Sequence, residues 1–140
     1  MRHIKDIIKL TVILVMVSCS NKADRIDAFH SALNNTNVDS VLTDYFDYPD
    51  IAAIDNLKIT YSPLFNMIQT NMSLGPYEVL KYKDAVSKWT EVSKITTGIK
   101  PSKIYVVKYA NDDLLYVRLT GKKIRSLIPI QKGNVITGWL

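Results

Sequence analysis

The chain predicts an α+β fold: N-terminal helices packed on one face of a curved antiparallel sheet that ends in a four-stranded meander. Two patterns carry this. Apolar residues recur at helical spacing through the first half of the sequence, and at a period of two through the last third. Helices followed by consecutive strands make a layered α+β domain. The 47% hydrophobic composition is that of globular material, and no repeat or low-complexity tract interrupts it.

The first helix is predicted from Ala23 to Asn34, with Ile26, Phe29 and Leu33 on one stripe. Thr36-Asn37-Val38-Asp39 resembles a capping box. It leads into Val38, Val41, Leu42, Tyr45 and Phe46, a full helical face stopped by Pro49. Ser62-Pro63 predicts the opening of a third helix, because a proline at the first helical position loses no hydrogen bond. Leu64, Phe65, Ile68 and Met72 supply its apolar side, and Gly75-Pro76 ends it. Residues 50–60 carry no firm assignment, with "LKITY" the best strand candidate between helices. "YEVLKY", Tyr77 to Tyr82, predicts a strand followed by a short helix from Asp84.

From Lys103 to Leu140 four strands are predicted, joined by turns at Asn111-Asp112, Gly121-Lys122 and Lys132-Gly133. If each loop has two residues, side-chain parity is conserved through the meander. One face then collects Ile104, Val106, Leu115, Val117, Leu119, Ile124, Ile128, Ile130, Val135 and Trp139, with Ser126 its polar exception, and packs on the helices. The opposite face collects Tyr105, Val107, Tyr109, Tyr116, Arg118, Arg125, Leu127 and Ile136. A wet face of an antiparallel sheet is normally polar. This one is aromatic and basic, which calls for a cover. Tyr105, Tyr109, Tyr116, Arg118 and Arg125 are therefore the candidate surface for a protein partner or a homodimer, since tyrosine and arginine dominate binding hot spots.

The order of elements resembles the NTF2-like and cystatin-like domains, over roughly residues 23–140. That group includes enzymes, ligand pockets and partner-binding modules, so the resemblance does not decide function.

The N-terminus has a separate logic. Arg2, His3, Lys5 and Lys9 form a basic leader, and the apolar run Leu10 to Val17 follows. A bilayer span needs about 20 apolar residues, whereas a secretory core needs about 7–15. The run then ends in Met16-Val17-Ser18-Cys19, which resembles the bacterial lipobox. The resemblance implies cleavage after residue 18, a triply acylated Cys19 inserted in the bilayer, and a place in the cell envelope. Ser20 after the cysteine implies the outer membrane, facing the periplasm. Cys19 is the only cysteine, so no intramolecular disulfide is possible. Residues 19–24 are then the lipidated terminus and a short tether, and residues 25–140 a single α+β domain.

The formal net charge of +5 is unevenly spread. Residues 20–78 carry three basic and eight acidic side chains, and residues 79–140 carry twelve basic and four acidic. Such polarity can steer an anionic partner or keep a face solvated. An envelope location disfavours nucleic acid.

Chemistry-bearing motifs are sparse. His30 is the only histidine after the leader, and a lone helix histidine is a surface or core residue rather than a zinc ligand. Asp44, Asp47 and Asp50 do not match calcium-loop spacing, and carboxylates at a helix C-terminus oppose its dipole. Asp112 and Asp113 suit a hairpin turn. Nucleophile elbows, phosphate loops and dinucleotide fingerprints are absent from the sequence. No catalytic residue, metal or cofactor is assigned. The expectation is a membrane-anchored envelope lipoprotein with a non-catalytic ligand- or partner-binding domain. The alternative is a small NTF2-like enzyme using Tyr and Asp as acid–base groups in a pocket between sheet and helices.

Overall fold

The computed structural model describes residues 21–47 and 54–140. The leader, Cys19 and Pro49 lie outside them. Helix α1 (Asn21–Asn35) buries Ile26, Phe29 and Leu33, the predicted stripe. It starts earlier than a tether over residues 20–24 allows. Asp24 sits in the first turn, where a carboxylate meets the positive end of the helix dipole. Ala23 packs against the core, so residues 21–24 are helix rather than linker.

Helix α2 (Val38–Tyr45) is capped by Asn37, whose side-chain oxygen accepts the Ser40 N–H at 2.8 Å. Thr36 is not the cap; its hydroxyl donates to the Ala32 carbonyl at 2.8 Å.

Helix α3 (Ile54–Ser73) departs most from expectation. Ser62-Pro63 does not open it but lies in its interior, and "LKITY" is helical rather than extended. An interior proline frees the carbonyl four residues earlier. Here that residue is Ile59, which is 75% exposed, so water can satisfy the freed oxygen. Tyr61, before the proline, and Phe65 and Ile68, after it, are buried in one core, so packing carries the helix across the break.

The main sheet contains β1 (Glu78–Lys81), β3 (Ile104–Lys108), β4 (Leu114–Thr120) and β5 (Lys123–Ser126), in the order β1-β3-β4-β5 and antiparallel throughout. The fold is α+β, and the sheet is open rather than a closed barrel. Helix α4 (Tyr82–Lys88) follows β1 directly, so "YEVLKY" does read as strand then helix, starting two residues before Asp84. A smaller sheet joins β2 (Lys94–Ile95), β6 (Pro129–Lys132) and β7 (Val135–Trp139), in the order β2-β7-β6. In it β2 runs parallel to β7. The predicted third strand of the meander therefore breaks after Ser126, whose hydroxyl accepts the Ile128 N–H at 3.1 Å. Pro129, with no N–H to donate, then starts an edge strand of the second sheet.

One turn decides the faces. The β3–β4 connection is a three-residue loop, Ala110 to Asp112, closed by Tyr109 N–H to the Asp113 carbonyl at 3.0 Å. Asp112 takes a left-handed φ of 69°, the mark of a type I turn followed by a bulge. An odd loop reverses the parity of β3 against β4. Tyr105 therefore pairs with Val117, and Val107 with Leu115. Tyr105, Val107 and Tyr109 join Leu115, Val117, Leu119 and Ile124 beneath α1, α2 and α3. Ile104 and Val106 point the other way, with Tyr116, Ile136 and the partly buried Trp139. The predicted grouping of Ile104 and Val106 with Leu115 and Val117 is thus corrected. The Gly121-Lys122 turn is as expected. Gly121, at φ 60° in the first loop position, marks a type II′ hairpin.

Both faces of the main sheet are covered. Helices α1 to α3 lie on one side, and α4, Trp89 and the second sheet on the other. That is why β3 reads "IYVVK", with its first four residues all buried.

Candidate functional site

The C-terminal end of α1, the short α2 and the long α3 leave a groove of about 360 Å³ between them. Its floor is apolar: Leu33, Val41 and Phe65 are buried, and Val38 half-buried. Its rim is polar, with Thr36 and Asn37 from the α1–α2 junction facing Lys58, Ser62, Asn66 and Gln69 of α3. Helical geometry makes this rim. Lys58, Ser62, Asn66 and Gln69 are spaced by three or four residues and so line one edge of α3.

Several rim groups are already engaged. The Gln69 amide donates to the Leu33 carbonyl and ties α3 to the end of α1. Lys58 Nζ lies 3.1 Å from the Asp39 carboxylate, and both side chains are largely solvated, so this pair contributes little stability. Ser62 and Thr36 donate to helix carbonyls and keep lone pairs to accept with. The side chain of Asn66 is exposed at this rim, where its amide can both donate and accept. The groove therefore suits a ligand with an apolar body and a polar end. Its volume lies within the range of small-ligand sites.

Beneath α1 lies a second polar group, sealed from solvent. The His30 ring is 1% exposed. Its Nδ1 lies 2.8 Å from the Ile26 carbonyl, which can only accept, so Nδ1 carries the proton. Nε2 therefore accepts the Tyr109 hydroxyl, also at 2.8 Å. Tyr77 stacks on the imidazole at 4.4 Å and donates to Asp27 at 3.0 Å. Burial lowers the His30 pKa, against smaller raising effects of the Ile26 carbonyl and Asp27. Burial, with help from Asp27, pushes Tyr77 up to about 12, and burial pushes Tyr109 up as well. All three rings are held neutral. The network joins α1 to the sheet, and His30 is a core histidine.

The five residues expected to share one exposed surface do not. Tyr105 and Tyr109 are buried under the helices. Tyr116 is buried on the opposite side, where its hydroxyl accepts the Ser93 N–H at 2.8 Å. Arg118 is half-buried and stands across from Ser126, not Arg125, because a bulge shifts the β4–β5 register. Arg125 is exposed and donates to the Asp47 carbonyl at 3.2 Å. The expected face is covered by the chain itself, with α1 to α3 over Tyr105 and Tyr109 and α4 with the second sheet over Tyr116. Of the acidic trio, Asp50 lies outside the described residues. Among the described residues no group of three His, Cys, Asp or Glu side chains could hold a metal ion.

The groove residues went unnoticed in the sequence because Lys58 falls in the unassigned segment. Asn66 and Gln69 carry no local signal; only the meeting of three helices makes them a rim. Among the described residues no helix is long and apolar enough to cross a membrane. Compared with known proteins, the chain matches no family profile, no curated sequence and no solved structure.

Proposed function

We propose that this chain is a bacterial envelope lipoprotein, held on the periplasmic side of the outer membrane by an acylated Cys19, whose α+β domain binds a small amphiphilic ligand in the groove between α1, α2 and α3. The anchoring half rests on the sequence Met16-Val17-Ser18-Cys19 behind a basic and apolar leader. The binding half is carried by one observation: a 360 Å³ groove has an apolar floor of Leu33, Val41 and Phe65 under a rim that carries the exposed Asn66 amide. Apolar area supplies affinity there, and the few polar groups at the edge orient the ligand.

Anilinonaphthalene sulfonate, an apolar probe with one polar end, tests the apolar floor of this groove. It should bind the folded protein at a single site with enhanced fluorescence. Asn66→Trp places an indole across the groove from an exposed helix position, so the fold should survive by circular dichroism while the probe is lost. Probe binding that is absent from the native protein, or unchanged in the folded variant, overturns the reading.

A further inference from the structure

The first turn of α1 and the β4–β5 hairpin bring four cations together at one end of the domain. Lys22 and Arg25 stand three residues apart on α1 and so share a side of the helix. The type II′ turn beginning at Gly121 carries Lys122, whose backbone meets Arg25, and Lys123, whose Nζ reaches the end of α2. Arg25 donates through Nε to the Lys122 carbonyl at 3.3 Å and through Nη2 to the Asp44 carbonyl at 2.6 Å. Lys123 Nζ donates to that same Asp44 carbonyl, also at 2.6 Å. Two cationic nitrogens thus converge on a single carbonyl, no further apart than those two bonds laid end to end. Arg125 extends the cluster through the Asp47 carbonyl. These bonds satisfy free carbonyls at the C-terminal end of α2, and none of them pairs a cation with a carboxylate. Tyr45 fixes Arg25 further, its ring centroid lying 4.4 Å from the guanidinium carbon. Among the described residues, the carboxylates next in sequence to these cations or to the carbonyls they bind are Asp24, Asp44 and Asp47, against five cations.

Position gives this cluster its meaning. Resting on the anchored reading above, Cys19 is only two residues from Asn21, where α1 begins. An extended chain covers at most about 3.6 Å per residue. The start of α1 is therefore held within roughly 7 Å of an acylated residue at the bilayer surface. That is less than a Debye length of about 8 Å at physiological salt, so the headgroup charge is felt there.

We propose that Lys22, Arg25, Lys122 and Lys123 form a headgroup-facing collar that seats the domain, α1 first, against anionic phospholipid. The acyl chains supply the anchoring, and the collar sets the orientation. The groove and the second sheet are then free to project from the membrane. Each Lys or Arg near an anionic surface strengthens such seating by about fivefold.

The test uses full-length protein purified from membranes and reconstituted in phosphatidylcholine vesicles with or without phosphatidylglycerol. Lysines are pulse-acetylated and read peptide by peptide. Lys22, Lys122 and Lys123 should react several-fold more slowly on the anionic vesicles, and high salt should restore their rates. Lys83 on α4 and Lys94 on β2 should react alike on both vesicles. The double change Lys122→Glu and Lys123→Glu should remove the protection of Lys22. Equal rates on the two lipids, protection that ignores salt, or protection of Lys83 and Lys94 instead overturns the proposal. Equal rates would leave an acidic protein as the cluster's partner. The mass of the Cys19 peptide in the same digest separates the two readings. If Cys19 is unmodified the lipoprotein reading fails, and the collar is then judged on vesicles carrying a maleimide lipid coupled to the Cys19 thiol.

Discussion

The Tyr109 hydroxyl donates a 2.8 Å hydrogen bond to Nε2 of His30, joining residues 79 apart in sequence. With Nδ1–H given to Ile26, the imidazole is saturated in its neutral form and has no room for a second proton on Nε2. Protonation would require Tyr109 to turn its hydroxyl round and would place a charge where the ring is 1% exposed.

Stability should therefore fall on acidification. Burial lowers the folded-state pKa of His30 below its ordinary 6.5. Between that lowered value and 6.5 the unfolded chain binds a proton that the folded chain refuses. The contribution is complete above pH 6.5 and is lost as pH falls toward the folded pKa, with a limiting slope of about 1.4 kcal/mol per pH unit. Urea melts from pH 7.5 to 5 should show the decline. The imidazole signal of His30, one of two histidines in the chain, should not titrate near 6.5. Titration there would mean that the network is open to solvent.

Removing the two hydroxyls of β3 and its end should have unequal effects. Tyr109→Phe strands Nε2 of His30 as a buried acceptor, a loss of about 1–3 kcal/mol. Tyr105 is buried on the same face, but none of the described hydrogen bonds uses its hydroxyl. Tyr105→Phe should change stability by less than about 0.5 kcal/mol. Equal effects in denaturant unfolding would refute the hydrogen-bond assignment.

Pro63 interrupts the ladder of α3 on its exposed side. Proline in a helix interior is about 3 kcal/mol less favourable than alanine. Pro63→Ala should raise stability by about 1–3 kcal/mol, seen as a higher Tm. A lower Tm would show that the proline's bend is needed to seat Tyr61 and Phe65.

Acylation of Cys19 is directly measurable. An alkyne fatty acid fed to expressing bacteria should label the protein, and Cys19→Ala should abolish both label and processing. An unlabelled wild type, or a labelled variant, removes the anchor from the proposed function.

What could be read from residues alone is what depends on neighbours in sequence. The stripe Ile26, Phe29 and Leu33 makes α1 because helical period and burial coincide. Val41 and Leu42 make α2 in the same way, and Gly121 makes its hairpin because a glycine suits the left-handed first position of that turn. The α+β class follows from such local periods. The lipobox resemblance is also a local pattern, but it lies outside the described residues. Tertiary structure decided the rest. A two-residue and a three-residue loop at Asn111 are both acceptable locally, and only the helices packing on Tyr105 and Val107 select the odd one, with Asp112 left-handed. A Ser-Pro pair opens a helix where solvent precedes it, yet lies within one where Tyr61 and Phe65 are buried on either side. Whether Tyr116 meets water or Ser93 depended on where β7 returns after leaving the first sheet. The groove and the collar are likewise assembled from residues dozens of positions apart. Their chemistry arises from proximity that no sequence window contains.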